Sequence, residues 1–393
     1  MKDLPHGPPK IIDADAHILE PADVFTSRLP KRFAEDAPRV ERSPRTGISH
    51  WRIGSNWIWP VGHFGQAGFH EYPPINPSEY EDVQTSTYDA DERLKRMDEY
   101  GVDVQVLYPN IVGFQAPLLV EVGHEFALAC TQAYNDFAFE WSSADPARLI
   151  PMVMLPYWDR DASVAEMVRC MGRGAKGVLF ANKFERIGLP GFTDPYWDPV
   201  YSTAQEMDVP VNYHVGFSSY EASETLSEDA IASKRVDAER ERPLRALWSC
   251  SLLTQQADLI GQLLISDICE RFPTLNLVSV ETGFGHLPFY LECLDWHWKA
   301  LGNKQRELLP SEYFARQIHG TFWFERRTLA LLSEYPDNFL FTTDYPHSTG
   351  GSPGPCSPGV PASQYVSEAF ERTDPDVAYK AVWGNASRLY GIS

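Results

Sequence analysis

Short apolar and β-branched runs alternate along this chain with longer stretches whose apolar residues recur at helical spacing. Eight runs read as strands: Lys10–Ala14, Val102–Tyr108, Leu149–Leu155, Gly177–Ala181, Val209–His214, Leu275–Glu281, Thr321–Phe324 and Phe339–Thr343. Between them Ala90, Leu94 and Met97 fall at i, i+4, i+7 ahead of Gly101, a natural helix stop. Val164, Met167, Val168 and Met171 form a second stripe, Val200, Ala204 and Met207 a third, and Leu287, Leu291, Leu294 and Trp298 a fourth. Each reads as a core-facing stripe. Strand–helix alternation of this kind predicts an α/β protein, a (β/α)8 TIM barrel whose active site lies at the C-terminal ends of the strands.

A single domain over residues 1–393 is expected, with three insertions on the catalytic face. Residues 21–88 are rich in Pro, Gly and Trp, residues 217–256 are polar and charged with a helical look, and residues 348–362 lack periodicity. Long loops on that face serve as lids, surface loops or subunit contacts. The rings of Trp51, Trp57, Trp59, Phe64 and Phe69 suit a pocket wall for a planar small molecule, or packing between subunits.

Composition narrows the function. The 393 residues carry 34 basic and 54 acidic side chains, a formal charge of −20, which disfavours nucleic acid or an anionic membrane as partner. Six scattered cysteines include no CxxC pair and read as buried free thiols in a reducing compartment. Residues 1–10 lack the apolar core of a signal peptide, and no run approaches the ~20 residues needed to span a bilayer, so a cytoplasmic protein is expected. Gly172, Gly174 and Gly177 fit GxGxxG but lie between a helix and a following strand. The dinucleotide fingerprint needs the opposite order.

The strongest chemical signal is Asp13-Ala14-Asp15-Ala16-His17 at the end of the first strand. Alternation puts Asp13, Asp15 and His17 on one face, where three ionisable groups are costly unless a cation or polar network compensates them. Solvated carboxylates in a loop are the plainer reading. His214 ends strand five and Asp344 ends strand eight; alone, the one reads as a structural imidazole and the other as a cap or turn residue. In a barrel these three strands share one mouth, where Asp15, His17, His214 and Asp344 make a plausible metal shell.

The segments Asp13–His17, Tyr213-His214-Val215-Gly216 and Thr342–His347 together resemble the amidohydrolase superfamily, in the branch that includes aminocarboxymuconate-semialdehyde decarboxylase and aromatic-acid decarboxylases. Residues 93–109, 134–136, 145–149 and 384–391 extend the likeness over nearly the whole chain. The resemblance implies that Asp15, His17, His214 and Asp344 bind one divalent ion, zinc first and manganese second. It also implies a small-molecule substrate and a homodimer. Two departures stand out. Strand one carries DxH where the family often has HxH or ExH, and Glu281 stands where the decarboxylases carry a histidine after strand six.

Glu281 reads as a general base or hydrogen-bonding partner of the centre, or as half of a buried pair with an arginine. His286 and His347 lie close enough in sequence to contact substrate, or simply to pack. The expected activity is metal-dependent hydrolysis of a small aromatic or cyclic substrate, with Asp344 as base and Glu281 orienting water. The alternative is non-oxidative decarboxylation on the same shell, with Asp344 as proton donor. A non-catalytic ligand-binding barrel is the third reading.

Overall fold

The computed structural model describes residues 10–70, 76–217 and 238–393. Eight parallel strands form the barrel. Strand one is Ile12–His17, two Val104–Tyr108, and three Leu149–Pro151, resuming as Val153–Met154 beyond a break at Met152. Strand four is Val178–Leu179, five Val211–His214, six Leu277–Val280, seven Ile318–Phe322 and eight Phe339–Phe341. Neighbours pair in chain order, and each half of strand three bonds to one side of the break. The ring closes where Asp344 N donates to Asp15 O at 2.9 Å and His17 N to Tyr345 O at 2.6 Å.

Six strands fall within their expected bounds and are shorter than these, while strands one and seven run beyond them. Strand one runs on to His17 because Thr342 and Thr343 of the neighbouring chain segment supply donors to its polar residues. Strand seven begins at Ile318, three residues before the apolar run at 321–324 suggests. Gly320 pairs with Phe339, while Trp323 and Phe324 already belong to the following loop.

The helix Ala90–Tyr100 starts where the Asp89 carboxylate accepts from Glu92 N at 2.9 Å and ends at Gly101, whose φ of 71° is left-handed. Arg160–Met171 is capped in the same way by Asp159. Not every stripe residue is core: Val168 is 48% exposed and Met207 sits at the end of its helix, 37% exposed. The insertion after strand one carries an antiparallel meander, Arg39–Arg42, Ser49–Ile53 and Asn56–Pro60. The expected helix after strand five is Ala238–Ile265; residues 218–237 of that insertion lie outside the described residues. All six cysteines are free, but Cys250 and Cys356 are exposed and Cys293 is half-buried, so the buried expectation holds only for Cys130, Cys170 and Cys269. Among the described residues no helix is long and apolar enough to cross a membrane.

Candidate metal centre

The barrel brings Asp15, His17, His214 and Asp344 to one buried point at its C-terminal mouth. His17 Nε2 lies 3.0 Å from His214 Nε2, 3.5 Å from Asp15 Oδ1 and 3.8 Å from Asp344 Oδ1. His214 Nε2 is 3.7 Å from Asp15 Oδ1.

The orientation of the rings follows from their outer nitrogens. His17 Nδ1 sits 3.1 Å from the Pro109 carbonyl and His214 Nδ1 2.8 Å from the Val215 carbonyl. A carbonyl only accepts, so each Nδ1 carries the proton and each Nε2 turns a lone pair inward. Two lone pairs facing at that distance repel. Both oxygens of Asp15 are buried without a hydrogen-bond partner. Four donor atoms in this state are costly in a dry interior unless a cation joins them.

Separations of 3.0–3.8 Å are what ligand atoms ~2.0–2.2 Å from a common centre show. The residues therefore fit a divalent ion, and the nitrogen–oxygen donor set suits zinc or manganese. The triads Asp15–His17–His214, His17–Asp344–His347 and Asp15–Glu281–Asp344 each have ligand atoms within 4.8 Å of one another.

Charge crowding is strong here. Burial first, then Asp13, pushes Asp15 well above the ordinary carboxylate range; burial and then Asp15 do the same to Asp344. Burial, followed by His347 and His214, pushes His17 well down. Glu281 is raised by burial and then by Asp344, and its Oε2 is 3.9 Å from His214 Nδ1. No arginine pairs with it among the described contacts. Asp344 and Glu281 hold left-handed backbones, φ 52° and 58°, which non-glycine residues rarely adopt. Glu281 N is pinned by Thr321 Oγ1 at 2.8 Å.

His347 joins the centre. Asn110 Nδ2 donates to Ile18 O at 2.8 Å, which turns Asn110 Oδ1 toward His347 Nε2, 2.9 Å away. The proton thus sits on Nε2, and Nδ1 faces Asp344 Oδ1 at 2.9 Å. The ring also stacks on His17 with centroids 3.8 Å apart. His286 is instead the residue opening the helix Leu287–Ala300, and its Nε2 is buried without a partner.

Asp13 does not reach the cluster. It accepts from Thr343 N (2.7 Å), Thr343 Oγ1 (2.5 Å), Thr342 Oγ1 (3.1 Å) and Gln105 Nε2 (2.9 Å), tying strands one, two and eight together. Buried Arg93 donates to His17 O at 2.7 Å and to Gln105 Oε1 at 3.1 Å. Arg93, Asn110 and Glu325, which accepts from Phe284 N at 2.9 Å in the Glu281 turn, are supports the sequence reading missed. Only Arg93 leaves a trace in the sequence: it shares the buried face of its helix with Met97.

Of the five rings expected to line a pocket, Phe64 does reach the centre, 4.8 Å from His347 and stacked on Phe114 at 4.8 Å, with Trp59 behind it. Trp51 packs instead on Phe25, Trp57 on His50 and Phe69 on His70. A cavity of about 240 Å³ opens on His214 between Asn182, Lys183, Gln256 and Leu259.

Residues 12–392 match the amidohydrolase family, and the chain belongs to it. It is 26% identical over 318 residues to a gamma-resorcylate decarboxylase of Polaromonas sp., covering 77% of this chain and 87% of that one. It is 20% identical to a 2-amino-3-carboxymuconate-6-semialdehyde decarboxylase of Dictyostelium discoideum, covering 63% and 61%. Among solved structures, an amidohydrolase of Mycobacterium avium subsp. paratuberculosis superposes with a TM-score of 0.68 at 20% identity, over 97% and 99% of the two chains. A Polaromonas dihydroxybenzoic acid decarboxylase with bound manganese and 2-nitroresorcinol gives 0.60 at 17%, over 98% and 97%.

Proposed function

We propose that this amidohydrolase-family enzyme removes carbon dioxide, without oxidation, from a small aromatic or unsaturated carboxylic acid. What carries the reading is that the curated relatives quoted above are decarboxylases of such acids. It displaces the hydrolytic expectation to second place. Hydrolysis keeps one specific support, the carboxylate of Glu281 beside the centre, which suits water chemistry.

Asp15, His17, His214 and Asp344 would hold the ion, with zinc or manganese the candidates. Such an ion supplies positive charge that binds and polarises an anionic substrate. Phe64 and Phe114 flank the centre as apolar faces for a ring. The chain's own contribution is the proton. Burial raises both Asp344 and Glu281 above the ordinary carboxylate range, with Asp15 adding to the first and Asp344 to the second, so the pair is disposed to carry a proton. Asp344 delivers that proton to the ring carbon bearing the carboxylate. The carbon–carbon bond then breaks, its electron pair returns to the ring, carbon dioxide departs, and Asp344 is reprotonated from water. Glu281, raised by burial and by Asp344, stands beside it as the carboxyl that shares the proton.

The test is to incubate manganese- or zinc-loaded enzyme with dihydroxybenzoates and, in parallel, with aromatic esters and amides. Carbon dioxide release matched by the decarboxylated ring is expected, and Asp344→Asn should abolish it. Ester or amide cleavage with no carbon dioxide release would replace the proposal with the hydrolytic reading.

A further inference from the structure

A cavity of about 410 Å³ lies apart from the Asp15–His17–His214–Asp344 cluster, none of whose residues lines it. It lies beyond the end of strand eight, under the loop at 348–351 and against the helix Ala362–Ala369. Trp323, Phe324 and Tyr365 form aromatic walls, and Arg326 stands among them. The Arg326 guanidinium lies over the Tyr365 ring, 5.1 Å from its centroid. Its one ion pair among those described is with Glu368 at 3.2 Å, and both side chains are nearly half exposed. Phe324 is 53% exposed at the cavity wall.

One wall residue reaches the other site. Thr349 lines the cavity, and its Oγ1 donates to Asp344 Oδ2 at 2.5 Å. Its carbonyl accepts from the indole Nε1 of Trp323 at 2.9 Å. Gly351 N, donating to Thr343 O at 2.8 Å, anchors the far side of the loop. Whatever presses on Trp323 or Thr349 therefore acts on the carboxylate that completes the proposed metal shell.

We propose that this cavity is a second small-molecule site, for a flat aromatic anion, coupled to the metal centre through Thr349. Aromatic walls with a single guanidinium select a ring bearing one carboxylate, since stacking and a charge-assisted hydrogen bond then act together. The Arg326–Glu368 pair is nearly half exposed and weak, so a ligand carboxylate stacked in the cavity would compete with Glu368 for the guanidinium. The site stands on its own geometry and does not depend on which reaction the metal centre runs.

The probe is 2-naphthoate, titrated calorimetrically into the full-length, manganese-loaded protein. Two binding events per chain are expected. Phe324→Ala combined with Arg326→Gln should weaken one at least tenfold while leaving metal content unchanged; His214→Ala should remove the other. The coupling is read separately, as the manganese dissociation constant with and without saturating probe. A shift of threefold or more in the wild type, reduced below 1.5-fold in Thr349→Val, supports the link. A single event untouched by the Phe324/Arg326 variant overturns the site. Two events with a manganese affinity that ignores the probe overturn the coupling. Both readouts are independent of turnover, so failure of the decarboxylase assay would leave them standing.

Discussion

Two aspartates on one strand, Asp13 and Asp15, are both fully buried and have opposite surroundings. Around Asp13, four donors from Thr342, Thr343 and Gln105 satisfy the carboxylate. Around Asp15, neither oxygen has a hydrogen-bond partner, and two imidazole nitrogens offering lone pairs stand 3.5 and 3.7 Å away. The lower layer is complete without help and serves as scaffold. The upper layer is complete only with a cation. A buried polar group saturated by the chain indicates structure, whereas one left bare beside other ligand atoms indicates a ligand.

The sharpest way to break this contrast is to exchange the consequences of mutation. Asp15→Asn or His214→Ala should cut turnover by roughly 10³-fold, the several kcal/mol a bound ion contributes. Bound metal measured by elemental analysis should fall from one equivalent to near zero, while the melting temperature of the metal-free protein stays level or rises. Full metal occupancy in either variant would dissolve the assigned shell. Asp13→Ala should do the reverse. It strands the buried Thr343 N–H and hydroxyl and costs about 4 kcal/mol of folding stability in denaturant titrations, with a smaller loss of metal affinity. A stability change under ~1 kcal/mol would mean the lower layer is not the scaffold described.

A third carboxylate tests the boundary between the layers. Glu20 accepts from Asn110 N and Ile111 N at 2.8 Å each, yet burial outweighs these bonds and raises it to about 7. Because the folded value is raised, its stabilising contribution is complete below the unfolded value, ~4.3. It is lost as the pH climbs from there to about 7 and is absent above that. At ~1.4 kcal/mol per pH unit the loss amounts to about 4 kcal/mol. The stability difference between wild type and Glu20→Gln should therefore shift with pH across that interval and be constant above it. A flat difference from pH 4 to 8 would place Glu20 among the ordinary carboxylates.

Much of this was legible from residue order. The Asp-x-His pair, His214 and Asp344 stand at strand ends, and the rule that barrel chemistry gathers at those ends brings them together with no contact information. Strand seven was misplaced because Thr321–Phe324 is the more apolar run. The true strand contains His319 and Gly320, which only the pairing with Phe339 explains. Arg93 was passed over because an arginine on an amphipathic helix ordinarily faces water; here three backbone carbonyls and Gln105 hold it in the core. Asn110 and Thr349 act through partners more than 200 residues away or across a loop, and no local pattern encodes that.

The smallest effect concerns the one insertion ring that reaches the centre. Phe64 stacks on Phe114 and lies tilted against His347, 4.8 Å from each ring centre, beside the proposed ligand residues. If it is a substrate wall, Phe64→Ala removes a stacking contact worth about 1 kcal/mol and raises KM roughly fivefold, with kcat and metal content within a factor of two. If it instead positions His347 against Asp344, kcat falls while KM holds, because the lost contact then matters only once the proton moves. Phe64→Leu separates the two further: it keeps the bulk behind His347 but loses the flat face, so it should reproduce the KM effect and spare kcat. The split between the two constants thus decides whether the upper layer ends at the ligand residues or includes the insertion that covers them.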